Sequence, residues 1–179
     1  MSEPQSPRPA KLIISLLMKD KGILSSLAKD LEELFGPFDI LSAWLPFEYT
    51  SYYEPEMGGP LFRRLVVFKK LIKQSSLAEI KLKTNDLETA LSSDRKRSVN
   101  IDPGYLLLER FVLATGKNFT HRIYIGRKIY ADLTLIYQKG GFKTLPWTYP
   151  DYSDDTMLAF LEKVRMKYIL DLKDFEKND

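Results

Sequence analysis

The sequence predicts an α+β fold, and three observations carry that expectation. Segments of strand and helix character follow one another as strand, helix, strand, strand, helix, strand from Lys11 onward. Residues 97–145 hold no helix with capping signals, so the later part of the chain reads as strands. The chain then closes on an apolar stripe at helical spacing, Met157, Leu161, Val164, Tyr168 and Leu172. That order is a ferredoxin-like split βαβ core with an added antiparallel β-hairpin and a C-terminal helix. A Rossmann-like arrangement would need strands alternating with helices along the whole chain.

Each element has a local reason. MSEPQSPRPA, residues 1–10, is rich in Pro and Ser and reads as a disordered tail. Lys11 to Met18 is a short apolar run bounded by that tail and by KDKG, which suits a buried strand. From Ile23 the apolar residues Leu24, Leu27, Leu31, Leu34 and Phe35 continue at helical spacing, and Gly36-Pro37 stops the helix. Asp39 to Glu48 runs apolar toward Pro46 and predicts a second strand that breaks there. EYTSYYEPEMGGP is polar and aromatic, so it predicts an irregular surface loop of the kind that carries function. Leu61 to Ile72 predicts a strand flanked by basic residues.

The second half follows the same logic. Ser76-Leu77-Ala78-Glu79 has the form of a capping box, and Ile80, Thr84, Leu87 and Leu91 carry the helix on. SSDRKRS predicts an exposed connection. VNID and LLLERFVLATG predict strands separated by the turn Asp102-Pro103-Gly104-Tyr105, because proline presets the first turn dihedral and glycine accepts a positive one. His121 to Gly126 and Ile129 to Tyr137 predict a hairpin turning near Gly126-Arg127-Lys128, and Phe142 to Leu145 predicts a further short strand. Ser153 predicts the cap of the final helix, with Asp154 and Asp155 at the positive end of its dipole.

The chain of 179 residues fits a single domain over 11–179. It has no cysteine and one histidine, which excludes a disulfide framework, a cysteine nucleophile and a thiolate zinc site. Its 27 basic and 24 acidic residues leave a formal charge of +3, too small an excess to imply a nucleic-acid or membrane partner by itself. The apolar run KLIISLLM is too short to span a bilayer and lacks a small-residue cleavage site, so a cytoplasmic protein is expected. ATGKNF is not a phosphate loop, since Asn118 stands where the magnesium-holding hydroxyl belongs.

Five segments, PFEYTSYYEPEMGG, IKLKTNDLE, VNIDPGYL, KNFTHRIYIG and LPWTYPDY, concentrate polar and aromatic residues that have no periodic role in a core. In this order, and from Lys11 to about Tyr168, they resemble the bacterial family of unknown function DUF4416. The resemblance implies a small single-domain bacterial protein and supplies no catalytic residues.

The residues themselves suggest a site. A two-residue hairpin loop would place His121 and Asp132 on one face as cross-strand neighbours, where the carboxylate would fix the imidazole tautomer as for a general base. The same pair serves equally as a structural hydrogen bond. Asp102 is the third candidate catalytic residue. Lys81, Asn85 and Glu88 share a helical stripe that either lines a pocket or forms a solvated face. Glu54, Glu56, Asp102, Asp132 and Asp151 could build a magnesium site, with a phosphate-containing ligand held by Arg122, Lys117 or Arg95 and bordered by Tyr105 and Tyr149. That would make the protein a phosphate- or nucleotide-binding protein or a phosphoryl-transfer enzyme. Alternatively, Tyr124 and Tyr130 beside Arg122, Arg127 and Lys128 could stack the bases of a single-stranded RNA, or form a protein-interaction module. The motif segments are expected to converge in one cleft.

Overall fold

The computed structural model describes residues 2–93 and 96–178. Its first strand, β1 (Ala10–Met18), is buried along its whole length. It lies between β4 (Leu61–Ile72) and β5 (Val99–Leu106), antiparallel to both. A strand in that position must be apolar on both faces, which is why LIISLLM shows no alternation. Its even residues Leu12, Ile14, Leu16 and Met18 pack with Leu27, Leu31 and Phe35 of α1 (Ile23–Phe35) and Ile80 of α3 (Leu77–Ala90). On the opposite face Ile13 packs with Leu161, Val164 and Tyr168 of α4 (Asp155–Asn178).

Strands β2 (Phe38–Leu41) and β3 (Leu45–Phe47) both pair with β4, and the short α2 (Glu54–Met57) follows them. Beyond β5 come β6 (Arg110–Thr115), β7 (Arg122–Gly126), β8 (Ile129–Gln138) and β9 (Gly141–Thr144). The nine strands form one sheet in the order β2-β4-β1-β5-β6-β8-β7, with β3 along β4 and β9 along β8. The described residues therefore form a mixed α and β protein with a large antiparallel sheet and four helices. Among the described residues, no helix is long and apolar enough to cross a membrane.

Lys11 is fully buried at the start of β1, where its Nζ donates to Asp39 (2.6 Å) and Asp171 (2.5 Å). Burial pushes the Asp39 carboxyl up, but the hydrogen bonds and positive charges of Lys11 and Lys167 together outweigh it and hold the group below its usual value. Such a buried ammonium persists only with carboxylates at hydrogen-bond distance, and the pairing ties β1 to β2 and α4.

Several local expectations are corrected. The strand expected over Asp39 to Glu48 is divided, because Ser42 interrupts it: the Ser42 N–H donates to the Leu65 carbonyl and its Oγ accepts the Leu65 N–H. Pro46 then sits inside β3, which pairs on one side only, so its missing N–H costs no ladder bond. Ser76 makes no capping hydrogen bond; a 3₁₀ turn over Gln74–Ser76 leads into the helix and leaves Ser76 already in a right-handed helical conformation. At α4 the cap is Asp154 rather than Ser153, since Asp154 Oδ1 accepts the Thr156 N–H at 2.8 Å.

The largest correction concerns Asp102-Pro103-Gly104-Tyr105, which is not a turn but the interior of β5. The Ile101 N–H points away from β1 and is taken by a side chain, and Pro103 has its nitrogen on that same side two residues on. Pairing with β6 begins only at Gly104↔Leu113, so the proline falls where no acceptor waits for an N–H. Gly104 is required for a different reason: a Cβ there would lie 2.5 Å from the Val112 carbonyl oxygen. The glycine lets β6 approach.

The β7–β8 hairpin turns through Arg127 and Lys128, both left-handed with φ of 54° and 63°. Two such residues make the primed turn that matches strand twist. A bulge between Tyr124 and Gly126 then shifts the register by one residue, so that Arg122 rather than Ile123 stands opposite Asp132, while His121 precedes the paired strand.

Candidate functional site

Residues directly opposite one another in a sheet share a face, and the register places a polar set on one side. Arg63, Leu17 and Asn100 form one cross-strand row, and Leu65, Ser15 and Asp102 the next. Gly104, Leu113, Asp132 and Arg122 continue that face across β6, β8 and β7. The face is the one α4 covers with its apolar stripe. At the polar end the cover comes instead from the segments after β3 and after β9, whose side chains reach Arg63, Arg97, Lys117, His121 and Arg122.

Arg63 forms the first centre. Its Nη1 donates to Ser15 Oγ (2.7 Å) and Tyr152 OH (3.3 Å), and its Nη2 lies 3.1 Å from Asp151 Oδ2. The guanidinium carbon sits 4.9 Å from the Phe47 ring and 5.3 Å from that of Tyr152. Burial works against its charge, and Tyr152, Asp151 and Asp102 more than compensate. Burial likewise pushes the Asp151 carboxyl up despite the neighbouring Arg63, and raises the Tyr152 phenol. Arg63 and Asp151 line a cleft of about 340 Å³ with Phe47, Tyr49, Asp154 and Met157. Arg63 Nε is buried without a hydrogen-bond partner, and Asp151 Oδ2 is held only by its ion pair with Arg63.

The second centre closes an open strand edge. Because β6 does not pair with Ile101, its backbone is served by α3: Glu88 Oε1 accepts the Ile101 N–H at 2.6 Å, and Lys81 Nζ donates to the Ile101 carbonyl at 2.8 Å. Lys81 also pairs with Asp102 at 3.1 Å. Asn100 Nδ2 donates to Asp102 Oδ2 at 2.5 Å, and Arg97 links Asn100 to Glu56 with bonds of 2.9, 2.8 and 2.7 Å. The stripe expected to be either pocket or solvated face is neither at Lys81 and Glu88, which are buried against a strand edge. Burial raises Glu88, with Lys81 opposing.

Asp102 behaves in the opposite sense. Burial pushes its carboxyl up, but Lys81 and Arg63 outweigh this and hold it below the ordinary 3.8. A carboxylate so depressed contributes stability that is present above the unfolded value and lost as pH falls through the folded one. Lys81→Met removes the main compensating charge, so the acid-unfolding midpoint is expected to move to higher pH. Circular dichroism across pH 2–6 reads this, and an unchanged midpoint would show that Lys81 does not set the Asp102 charge.

The third centre surrounds the histidine. His121 Nε2 lies 3.1 Å from Asp132 Oδ2, and Arg122 Nε donates to the same oxygen at 2.9 Å. Arg122 also donates to the Lys117 carbonyl (3.0 Å) and Tyr149 OH (2.6 Å). The imidazole stacks on Trp147 at 4.8 Å, with Phe119 at its edge. The segment carrying Trp147 is anchored by that indole's N–H on the Leu133 carbonyl and by Thr148 on the Thr134 carbonyl. The His121–Asp132 contact therefore forms, but from the turn before β7 and shared with an arginine.

Not every candidate joins these centres. Glu54 is exposed at the start of α2, and Tyr105 lies in the apolar core, where burial raises its phenol. Arg95 lies outside the described residues. Glu56, Asp102, Asp132 and Asp151 each face a basic partner, and no group of three His, Asp or Glu among the described residues is placed to hold a metal ion. Sequence reasoning missed Arg63, Ser15, Arg97, Trp147 and Tyr152; a basic residue inside a run as apolar as LFRRLVVF was the one available signal for Arg63.

No curated protein and no solved structure matches the chain. A family model described as a domain of unknown function, DUF4416, matches residues 8–168, and on that extent the chain belongs to this family.

Proposed function

We propose that the protein binds a small polar molecule in the cleft beside Arg63, and that β2-β4-β1-β5 with α1 and α3 is a ferredoxin-like split βαβ core carrying it. The strand order and the packing of both helices on one face support the second part. One observation carries the first: Arg63, which lines the cleft, has a buried donor, Nε, without a hydrogen-bond partner, beside the ion-paired carboxylate of Asp151. Binding is favoured over phosphoryl transfer, because Arg122 and Lys117 already hold protein partners.

A thermal-shift screen of small polar molecules, nucleotides and sugar phosphates tests this, since a ligand of the native state at a hundred times its Kd stabilises by about 2.7 kcal/mol. The expected response survives His121→Gln, which lowers stability by about 1 kcal/mol through the lost Asp132 contact. A screen without any stabilising compound would overturn the proposal.

A second reading rests on a separate feature. Tyr52, Phe119, Trp147 and Tyr149 are exposed around Lys117 and Arg122, the arrangement by which aromatic rings stack the bases of single-stranded RNA. Oligonucleotide binding that weakens steeply with salt would favour it.

A further inference from the structure

We infer that the ligand of the Arg63 cleft is a zwitterion of amino-acid type, with a carboxylate and an ammonium group close together and an apolar side chain. The inference rests on the cleft being a binding site. Arg63 is 5% exposed and Asp151 6%, and both residues line the cleft, so their polar groups are nearly desolvated beside it. The unpartnered Nε of Arg63 asks for an acceptor, and Asp151 Oδ2, held only by its ion pair with Arg63 Nη2 at 3.1 Å, can take a further donor.

The charges on the wall narrow the choice. Glu48 and Asp154 also line the cleft, so one guanidinium faces three carboxylates. A phosphate or dicarboxylate would satisfy Arg63 and meet those three like charges. A simple amine would satisfy the carboxylates, leave Arg63 Nε without an acceptor and lie beside a fixed positive charge. A zwitterion serves both groups at once. Asp154 stays ionised at the rim, since the Thr156 backbone N–H holds its carboxyl low. Leu45, Phe47 and Met157 offer an apolar surface for the side chain, and a volume of about 340 Å³ is at the small end for ligand pockets.

Calorimetry on the full chain with the common L-amino acids tests the inference. The tightest binder is then compared with its deaminated acid and its decarboxylated amine, with adenosine monophosphate alongside. The expected result is binding of an amino acid with an apolar side chain, and a loss of roughly tenfold or more for each truncated analogue, the equivalent of one charged hydrogen bond. Asp154→Asn, whose amide oxygen can still accept the Thr156 N–H at the start of α4, is expected to weaken the amino acid and leave the deaminated acid unaffected. Arg63→Lys is expected to weaken both, provided its melting curve shows a folded protein; where it does not, the Asp154→Asn result decides. If adenosine monophosphate or a truncated analogue binds as tightly as the amino acid and Asp154→Asn alters that binding, the zwitterion is wrong and the cleft stands as a site. If no probe binds, or Asp154→Asn alters none of the binding, both fail.

Discussion

Arg63→Met is expected to cost the fold about 3 to 5 kcal/mol, the usual result of breaking a buried ion pair by removing one partner. The methionine fills much of the same space, so the loss does not come from a cavity. It comes from Asp151, 6% exposed, which loses the guanidinium at 3.1 Å while remaining buried. Ser15 Oγ and Tyr152 OH lose their donor at the same time, at 2.7 and 3.3 Å. Urea unfolding should show a lower midpoint with an unchanged slope. Asp151→Asn added to Arg63→Met should recover part of the loss, since a neutral amide is cheaper to bury than an uncompensated carboxylate. A single substitution costing under about 1 kcal/mol would mean that water already serves these groups, and the cleft would lose its chief feature.

Gly104→Ala is expected to cost about 3 kcal/mol or more, at the upper end for overpacking. The added methyl would stand 2.5 Å from the Val112 carbonyl oxygen and 3.0 Å from a Leu113 methyl. The first of these neighbours is backbone, so no rotamer change relieves it, and β5 and β6 must separate where their pairing begins. Asp102 and the polar face lie next to that point, so ligand binding should fall together with stability. Gly116→Ala is the control: nothing lies within 4 Å of the added methyl, and an effect within about 0.5 kcal/mol is expected. Equal melting temperatures for the two variants would refute the close-approach account of Gly104.

Much of the architecture was legible in the residues because its causes are local. The helix from Ile23 ends at Gly36-Pro37, β4 spans Leu61–Ile72, and Met157, Leu161, Val164, Tyr168 and Leu172 are all buried. Periodicity and stop signals act over one or two turns of chain, so one sequence suffices to read them. The single cleft expected of the polar segments was not legible in the same way: Glu56 and Asp102 take part in one set of contacts, Arg122 and Tyr149 in another, and none of the four lines the cleft beside Arg63.

What only the tertiary structure decided depends on partners distant in sequence. Pro103-Gly104 carries turn chemistry, yet the neighbouring strands make it strand, because at Pro103 β5 has no β6 partner and at Gly104 β6 approaches too closely for a side chain. Lys81 and Glu88 look like a solvated stripe until that unpaired edge needs a donor and an acceptor. A single bulged residue in β7 exchanged the partners of Asp132, placing Arg122 opposite it. Arg63 became the centre of the candidate site only because β1, β4 and the segment before α4 bring Ser15, Asp151 and Tyr152 around it. Local signals specify which elements form. Strand register and edge satisfaction, which are non-local and turn on single backbone groups, decided which side chains meet.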